Sequence, residues 1–530
     1  MARFKHTDNS QGLLLPVSLE KQILEGTFEW TLSYLFSRID LSLFEHNYSN
    51  DEKGACAYSP KVLLKIIMFC YSRGIISSRK IEIACKENIT IKALAEDSEP
   101  DHDTIATFIS KNKEAVKDLF TKVLLQCSEL KLITGEMFAI DGCKLPSNAS
   151  KEWSGKIEEL KKKRDKLENY ITRLLYRHQE LDKDDSVKRK QKPFHKTMGD
   201  DIERREKSIN RLEKKLQRLD TFLEKAIPKI GASGEEIKSN ITDNESAFIQ
   251  SSHGYIQGYN GIAIADSGNQ IIISAEAIGF GAESGCFPRM LDNLEENMKL
   301  VTGKKKPLKK ALLAGDTGYF SEDNLQEAAN RKINVLIPDS QFRQRDPYFA
   351  EKKNEKVKKK KRRFTVEDFK YDEKRDVFIC PAGNELEYKC NVTLRNNSGK
   401  QYRAKGSACV NCHLLEYCIN TRKPKKPTIE KSIRKRKVRT PFRALYIIDK
   451  KYENNLSEKM RKKIDDPAYR ELYSRRMQII EPPFSNITYC KGMNRFTLRT
   501  KNKVNIQWQL YCMVHNIGKC TKPLMEKYGA

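Results

Sequence analysis

From Glu136 to Asp339 the chain alternates short apolar runs with amphipathic stretches, and this order restricts the fold more than any other feature. EMFAIDGCKL (136–145) reads as a strand, its apolar run Phe138 to Ile140 lying between Gly135 and Gly142. GYIQGYNGIAIAD (254–266) and NQIIISAEAIGF (269–280) read as two strands of a hairpin, joined through Asp266, Ser267, Gly268 and Asn269, a turn-forming set. A helix from about Pro288 to Leu300, the strand ALLAGD, the helix SEDNLQEAANRK and the strand NVLIPD follow. Alternation of this kind predicts an α/β sheet.

Residues 156–226 interrupt that order with a segment rich in Lys, Glu, Arg and Leu. Ile157, Leu160, Leu167, Ile171 and Leu174 fall at heptad spacings, as do Ile202, Ile209, Leu212, Leu216, Leu219 and Leu223, with DKDDS and QKPFHKTMGD breaking the pattern between them. The pattern predicts an antiparallel helical hairpin. Each half is too short for a long dimerising coiled coil, so the expected form is a solvated strut leaving and rejoining one domain. Trp153, at the mouth of the strut, reads as a packing residue. Residues 1–130 read as helical, with amphipathic stretches such as SPKVLLKIIMFCYSRG and KEAVKDLFTKVLLQCSEL. Ser77 and Ser78 can cap a helix starting near Arg79, and Asp101 or Asp103 one running through Thr104, Ile105 and Phe108. The two fit a helix-turn-helix or a plain helical hairpin.

The chain of 530 residues carries 99 Lys plus Arg against 71 Asp plus Glu, a formal charge of +28, which calls for a polyanionic partner. Nucleic acid is the expected one, because no run of 18 apolar residues exists to span a bilayer and Lys65 interrupts the best candidate. The apolar patch near the start is too short for a signal peptide, so a cytoplasmic location is expected. Much of the charge sits in two segments. Glu351 to Arg363 holds 9 cations and 2 acids, and Arg422 to Arg439 holds 10 and 1. Lys358, Lys359, Lys360, Lys361, Arg362, Arg363, Arg434, Lys435, Arg436 and Lys437 are the expected phosphate contacts. Between the segments lie Cys380, Cys409, Cys412 and Cys418, four of 14 cysteines. The CxxC pair at 409 and 412 is a half-site for Zn²⁺ that Cys380 and Cys418 would complete, with Cys390 and His413 as rivals and free thiols as the alternative. Cys70, Cys127 and Cys512 lie in apolar helices and read as core.

Asp141 and Asp316 each end an apolar strand, and strand ends of an α/β sheet are where ligands collect. Together they can share divalent cations such as Mg²⁺, which take oxygen ligands; the alternative is that each caps a turn. Glu481 is the candidate third carboxylate. Pro482 and Pro483 disfavour α geometry at Glu481 and predict a helix end or kink there.

The blocks FAIDGCKLPSNASKEWSG, QGYNGIAIAD, LLAGDTGYFSEDNL, RRMQIIEPPFSNI and GMNRFTLRTKNKVNIQWQLYCMVHNIGK, in this order, resemble the DDE transposases of bacterial insertion sequences, in particular the insertion sequence 1182 lineage, related to the insertion sequence 4/5 group. YSPKVLLKIIMFCYSRGIISSRKIE and EPDHDTIATF resemble that group's helical N-terminal domain. The resemblance implies an α/β, ribonuclease H-like catalytic domain over 131–345 and 440–530 with the helical hairpin inserted at 156–226, a helical DNA-binding domain over 1–130, and a basic, Cys-rich insertion over 346–439. It implies Asp141, Asp316 and Glu481 as ligands of two Mg²⁺ or Mn²⁺ ions, with Tyr473 and Arg476 as signature residues. Two departures stand out. Four residues separate Arg476 from Glu481 where the family pattern has three, and the expected lysine is Thr488, leaving Lys491 as the nearest substitute. Asn486 belongs to the block after the Glu or caps a helix. The implied reaction is cleavage of element ends in double-stranded DNA and joining of the 3′-hydroxyl to target DNA, by a homodimer or larger assembly on nucleoid DNA. A transposase-derived repressor without catalysis and a nuclease without a joining step are the other readings.

Overall fold

The computed structural model describes residues 18–46, 48, 56–188, 196–231, 234–251, 254–281, 283–347, 364–394, 397–410, 412–419, 442–448 and 456–529. The chain divides into two compact units, one of residues 1–340 and 457–530, the other of residues 341–456.

In the first unit, the helices of eight residues or more ahead of the sheet are α1 (Phe28–Phe36), α2 (Pro60–Ser72), α3 (Ser78–Glu87), α4 (His102–Lys111) and α5 (Lys113–Glu129). Pro60 at the first turn of α2 loses no helical hydrogen bond there. Every residue from Val62 to Tyr71 is buried, Lys65 included, whose ammonium pairs with Glu96 at 2.9 Å. A helix apolar on all sides belongs inside a protein. Asp101 caps α4 by accepting from Thr104 N at 2.6 Å, as its position predicts. Ser77 stands at the N-cap of α3, but its side chain accepts no capping bond.

The strands are β1 (Met137–Pro146), β2 (Ala247–Ser251), β3 (Gly254–Asp266), β4 (Ile272–Ile278), β5 (Leu312–Gly315) and β6 (Asn334–Leu336). Their order is β6-β5-β1-β3-β2, with β4 also on β3. β1 runs antiparallel to β3 along its length, from Phe138 opposite Asp266 to Pro146 opposite Gly258. It runs parallel to β5 over only four residues, from Met137 opposite Leu312 to Ile140 opposite Gly315. Asp141 therefore does not end its strand. It stands where one neighbour stops while the other continues, a distinction that an apolar run cannot reveal.

Between β1 and β2 the chain forms α6 (Ile157–Lys188) and α7 (Lys196–Lys225). Leu160, Ile171, Ile209 and Leu219 are buried, and Arg164, early in α6, meets Asp220, late in α7, at 3.3 Å, so the pair is antiparallel. After β4 come α8 (Phe287–Thr302) and, between β5 and β6, α9 (Glu322–Asn330), which Ser321 caps by accepting from Asn324 N.

The last part of the unit comprises α10 (Leu456–Asp465), α11 (Pro467–Ser474), α12 (Arg476–Ser485) and α13 (Lys501–Tyr528). Contrary to the expected break at Glu481, α12 continues through Pro482 and Pro483. Pro482 cannot donate to the Gln478 carbonyl, and Gln270 Nε2 donates there instead at 3.0 Å. A π turn, Asn486–Cys490, follows. α13 is the spine of the core. Tyr511 stacks on Tyr71 of α2 at 4.5 Å, Thr521 shares a hydrogen bond with Thr31 of α1, and Trp508 Nε1 donates to Ile262 O of β3.

The second unit is built on an antiparallel sheet, in the order β7 (Lys370–Asp372), β8 (Val377–Ile379), β9 (Glu385–Leu394), β10 (Asn397–Ala404) and β11 (Ala444–Ile448). Its core gathers Phe369, Phe378, Leu386, Tyr402, Cys409 and Leu445. Because β11 pairs with β10, this unit extends past residue 439.

Asn516 of α13 clamps β4, accepting from Ile272 N and donating to Ile272 O, each at 2.9 Å, with its side chain fully buried. Asn516→Leu leaves both backbone groups unpaired and is expected to lower unfolding stability by about 2–4 kcal/mol. Urea denaturation followed by circular dichroism measures this.

Candidate metal centre

The parallel register of β1 and β5 ends with Ile140 opposite Gly315, so the residue that follows each of them in the chain is an aspartate. Asp141 and Asp316 come side by side without help from a loop. A third acid joins them. Glu283, between β4 and α8, offers an oxygen that lies with oxygens of Asp141 and Asp316 all within 4.8 Å of one another. Among the described residues this is the one such group of three or more potential metal ligands.

Each carboxylate is held from outside the cluster. Asp141 Oδ2 receives Arg476 Nη1 at 2.7 Å, and its Oδ1 accepts from Gly142 N at 2.8 Å. Asp316 Oδ1 accepts from Gly318 N at 2.8 Å. Glu283 Oε1 receives Asn260 Nδ2 at 2.7 Å. Asn260 reaches it by lying over Gly142, where a Cβ would fall 2.6 Å from the amide, so only glycine leaves room. Burial pushes the Glu283 carboxyl up to about 7, against the Asn260 hydrogen bond, and the charges of Asp316 and Asp141 add to the rise. Asp316 is raised as well, by burial and by Asp141, with Gly318 N, Arg476 and Lys144 opposing.

This donor set fits a hard divalent cation. All its donors are carboxylate oxygens, and a cation would remove the repulsion and burial cost that now favour protonation. Asn260 Oδ1, Tyr319 Oη and Arg476 Nε are buried without a hydrogen-bond partner among the described residues, so hydrogen-bonding capacity remains beside the cluster.

The other expected site residues divide. Tyr473 is largely buried beside Arg476, its phenol pushed up first by burial. Glu481 is exposed on α12 and does not belong to the cluster. Lys491 sits with its ammonium 5.7 Å from the Phe28 ring, and burial pulls its pKa down. Asn486 stands at the C-cap of α12, its backbone N–H donating to Pro482 O and Pro483 O, while its side chain meets His515 Nδ1 at 3.2 Å. The sulfurs of Cys380, Cys409, Cys412 and Cys418 make no group of three within 4.8 Å. Cys409 is buried in the apolar core of the second unit, with Cys380 and Cys418 packed against it. Cys390 is exposed and donates to Gln401 Oε1. Lys358 to Arg363 and Arg434 to Lys437 lie outside the described residues. Sequence reasoning missed Glu283, Asn260 and Lys144. The one signal for Glu283 was an acid placed between a strand end and a helix start.

Two domain families match this chain. The Transposase domain (DUF772) matches residues 17–111, which span α1 to α4, and the Transposase DDE domain matches residues 379–521, which include Tyr473, Arg476 and Glu481. The two matches support a DDE transposase. Asp141, Glu283 and Asp316 lie outside both matched segments, so their convergence is an independent observation. No curated protein matches the chain. No helix among the described residues is long and apolar enough to cross a membrane.

Glu283→Gln and Asp316→Asn are each expected to weaken Mn²⁺ binding by about tenfold or more, which isothermal titration calorimetry can measure. The raised carboxyls also set a pH dependence. The folded metal-free protein keeps a proton on Glu283 that the unfolded chain has lost, so this contribution to stability is present below the usual carboxylate pKa and disappears as pH rises through about 7. Thermal melts should show Glu283→Gln flattening that loss between about pH 4.5 and about pH 7, and Mg²⁺ opposing it in the unsubstituted protein.

Proposed function

We propose that the chain is a transposase of the insertion sequence 1182 lineage that cleaves element ends and joins the freed 3′-hydroxyl to target DNA. The observation that carries this reading is the pairing of Asp141 with Asp316 at the end of a parallel register, with Glu283 beside them. The strand order supports a ribonuclease H-like fold. β4, β3 and β1 form an antiparallel set, and β5 and β6 extend it in parallel on the far side of β1. The hairpin α6–α7 is then an insertion after the first strand, and residues 341–456 a second one before the last helices.

Asp141, Asp316 and Glu283 would hold divalent cations, which when bound activate the attacking oxygen and stabilise the leaving oxygen of a phosphodiester. The protein's own contribution is positional. Arg476 fixes the rotamer of Asp141 and leaves a cation beside the place where phosphate charge would build up. Asn260 and Gly318 N fix the other two carboxylates. Glu481, the carboxylate that the resemblance assigns, lies on the helix that Arg476 ties to Asp141, five residues further along. Its part is decided by substitution. The basic segments 351–363 and 422–439 would supply phosphate contacts along the duplex. A DNA-binding repressor without catalysis has no use for three clustered acids, which cost stability while unoccupied.

Asp141→Asn and Asp316→Asn are expected to lower Mg²⁺-dependent cleavage and strand transfer of element-end DNA by at least about 10³-fold while leaving duplex binding within about twofold. Gel assays on labelled ends read both steps. Cleavage retained in either variant rejects the assignment. Glu481→Gln belongs in the same assay: loss of cleavage with Mn²⁺ affinity intact places Glu481 in the DNA-bound centre, and full activity leaves Glu283 as the third carboxylate.

A further inference from the structure

Away from the carboxylates, a cleft of about 980 Å³ lies between α7 and the segments that carry Trp153 and Ile241–Asn244. Lys214, Lys215, Arg218, Lys225 and Arg499 line it, and no acidic residue does. None of the five forms an ion pair among the described residues. The neighbouring Asp220 is taken by Arg164, and among the described residues the Arg499 guanidinium donates from Nε alone, to Asn148 O. Cations crowded into one concave surface repel one another, and folding gains nothing from that arrangement. A ring accompanies the charge. Trp153 is half-buried on the wall with Lys215 Nζ 5.7 Å from its centroid, and Phe222 lines the same cleft.

We propose that this cleft binds a single-stranded stretch of nucleic acid, with phosphates on the lysines and arginines and a base against Trp153. Cations track a backbone and aromatic rings accept the faces of unpaired bases, whereas bases stacked within a duplex keep their faces from a protein ring. A small inorganic anion would leave the ring without a function. An acidic peptide would satisfy the charge alone. Trp153, which its place in the sequence marks as packing, thereby becomes a recognition residue, and the strut becomes one wall of a binding site. The proposal rests on the transposase reading only for which nucleic acid reaches the cleft.

The test uses the full chain and a short labelled single-stranded oligonucleotide, with affinity read by fluorescence anisotropy over a range of salt. The combined variant Lys214→Gln, Lys215→Gln, Arg218→Gln should bind about tenfold or more weakly, and the slope of log affinity against log salt should shrink by about 2, as expected for three lost phosphate contacts. Trp153→Leu should weaken binding by about fivefold or more and leave an abasic oligonucleotide unaffected, and Trp153→Phe should restore most of the loss. Unchanged affinity and slope in the combined variant would overturn the proposal. So would displacement by polyglutamate together with no effect of Trp153→Leu. Mn²⁺ affinity at the carboxylates, unchanged in every cleft variant, shows that the fold is intact. If the unsubstituted protein binds the strand through the cleft yet never cleaves DNA with Mg²⁺, the transposase reading fails alone; if it cleaves DNA and the cleft variants bind normally, this proposal fails alone.

Discussion

Four residues of parallel pairing between β1 and β5 determine what the rest of the site can be. Because Ile140 lies opposite Gly315, the two aspartates that follow are neighbours, and every other group at the centre is arranged around their mutual repulsion. Glu283 adds a third negative charge at the same point. Arg476 and Lys144 offset part of the repulsion at the aspartates, and burial, with smaller contributions from Asp316 and Asp141, pushes Glu283 up to about 7. A site of this kind is a local cost to the fold. The sheet bears it because the strands around it are deeply buried: every residue of β4 and β5 and every residue of β3 from Gln257 to Asp266 is out of solvent.

The C-terminal helices connect that centre to the helical region at the start of the chain. α13 packs on β3 and β4 through Trp508 and Asn516 and on α1 and α2 through Thr521 and Tyr511. Just ahead of it, α12 carries Arg476 to Asp141. Two consecutive prolines remove two donors from such a helix, and Gln270, in the loop after β3, supplies the one that Pro482 lacks. The element that steadies the first aspartate is thus itself steadied by a side chain far away in sequence.

Much of this architecture was legible beforehand. The strands at Phe138, Ile262, Ile273, Leu313 and Val335 announced themselves as apolar runs between turn residues, and the heptads of α6 and α7 announced a hairpin. Asp316 was read correctly as a strand end. Asp141 was not, since the run of apolar residues stops where β5 stops, although pairing with β3 carries the strand on to Pro146. The sheet of residues 370–448 was hidden beneath the charge of the segments before it and within it, whose lysines and arginines dominated the reading of that region. Glu283 had no periodicity to mark it among 71 acidic residues.

Local patterning alone determined the succession of strands and helices, the strut, the cationic character and the first two acidic candidates, because each depends on neighbours within a few residues. Tertiary structure decided which acid stands third, that α12 survives its prolines, and that Trp153 shares a cleft with unpaired cations. Those outcomes depend on which distant segments meet, a matter of strand register and helix packing that no window along the chain contains.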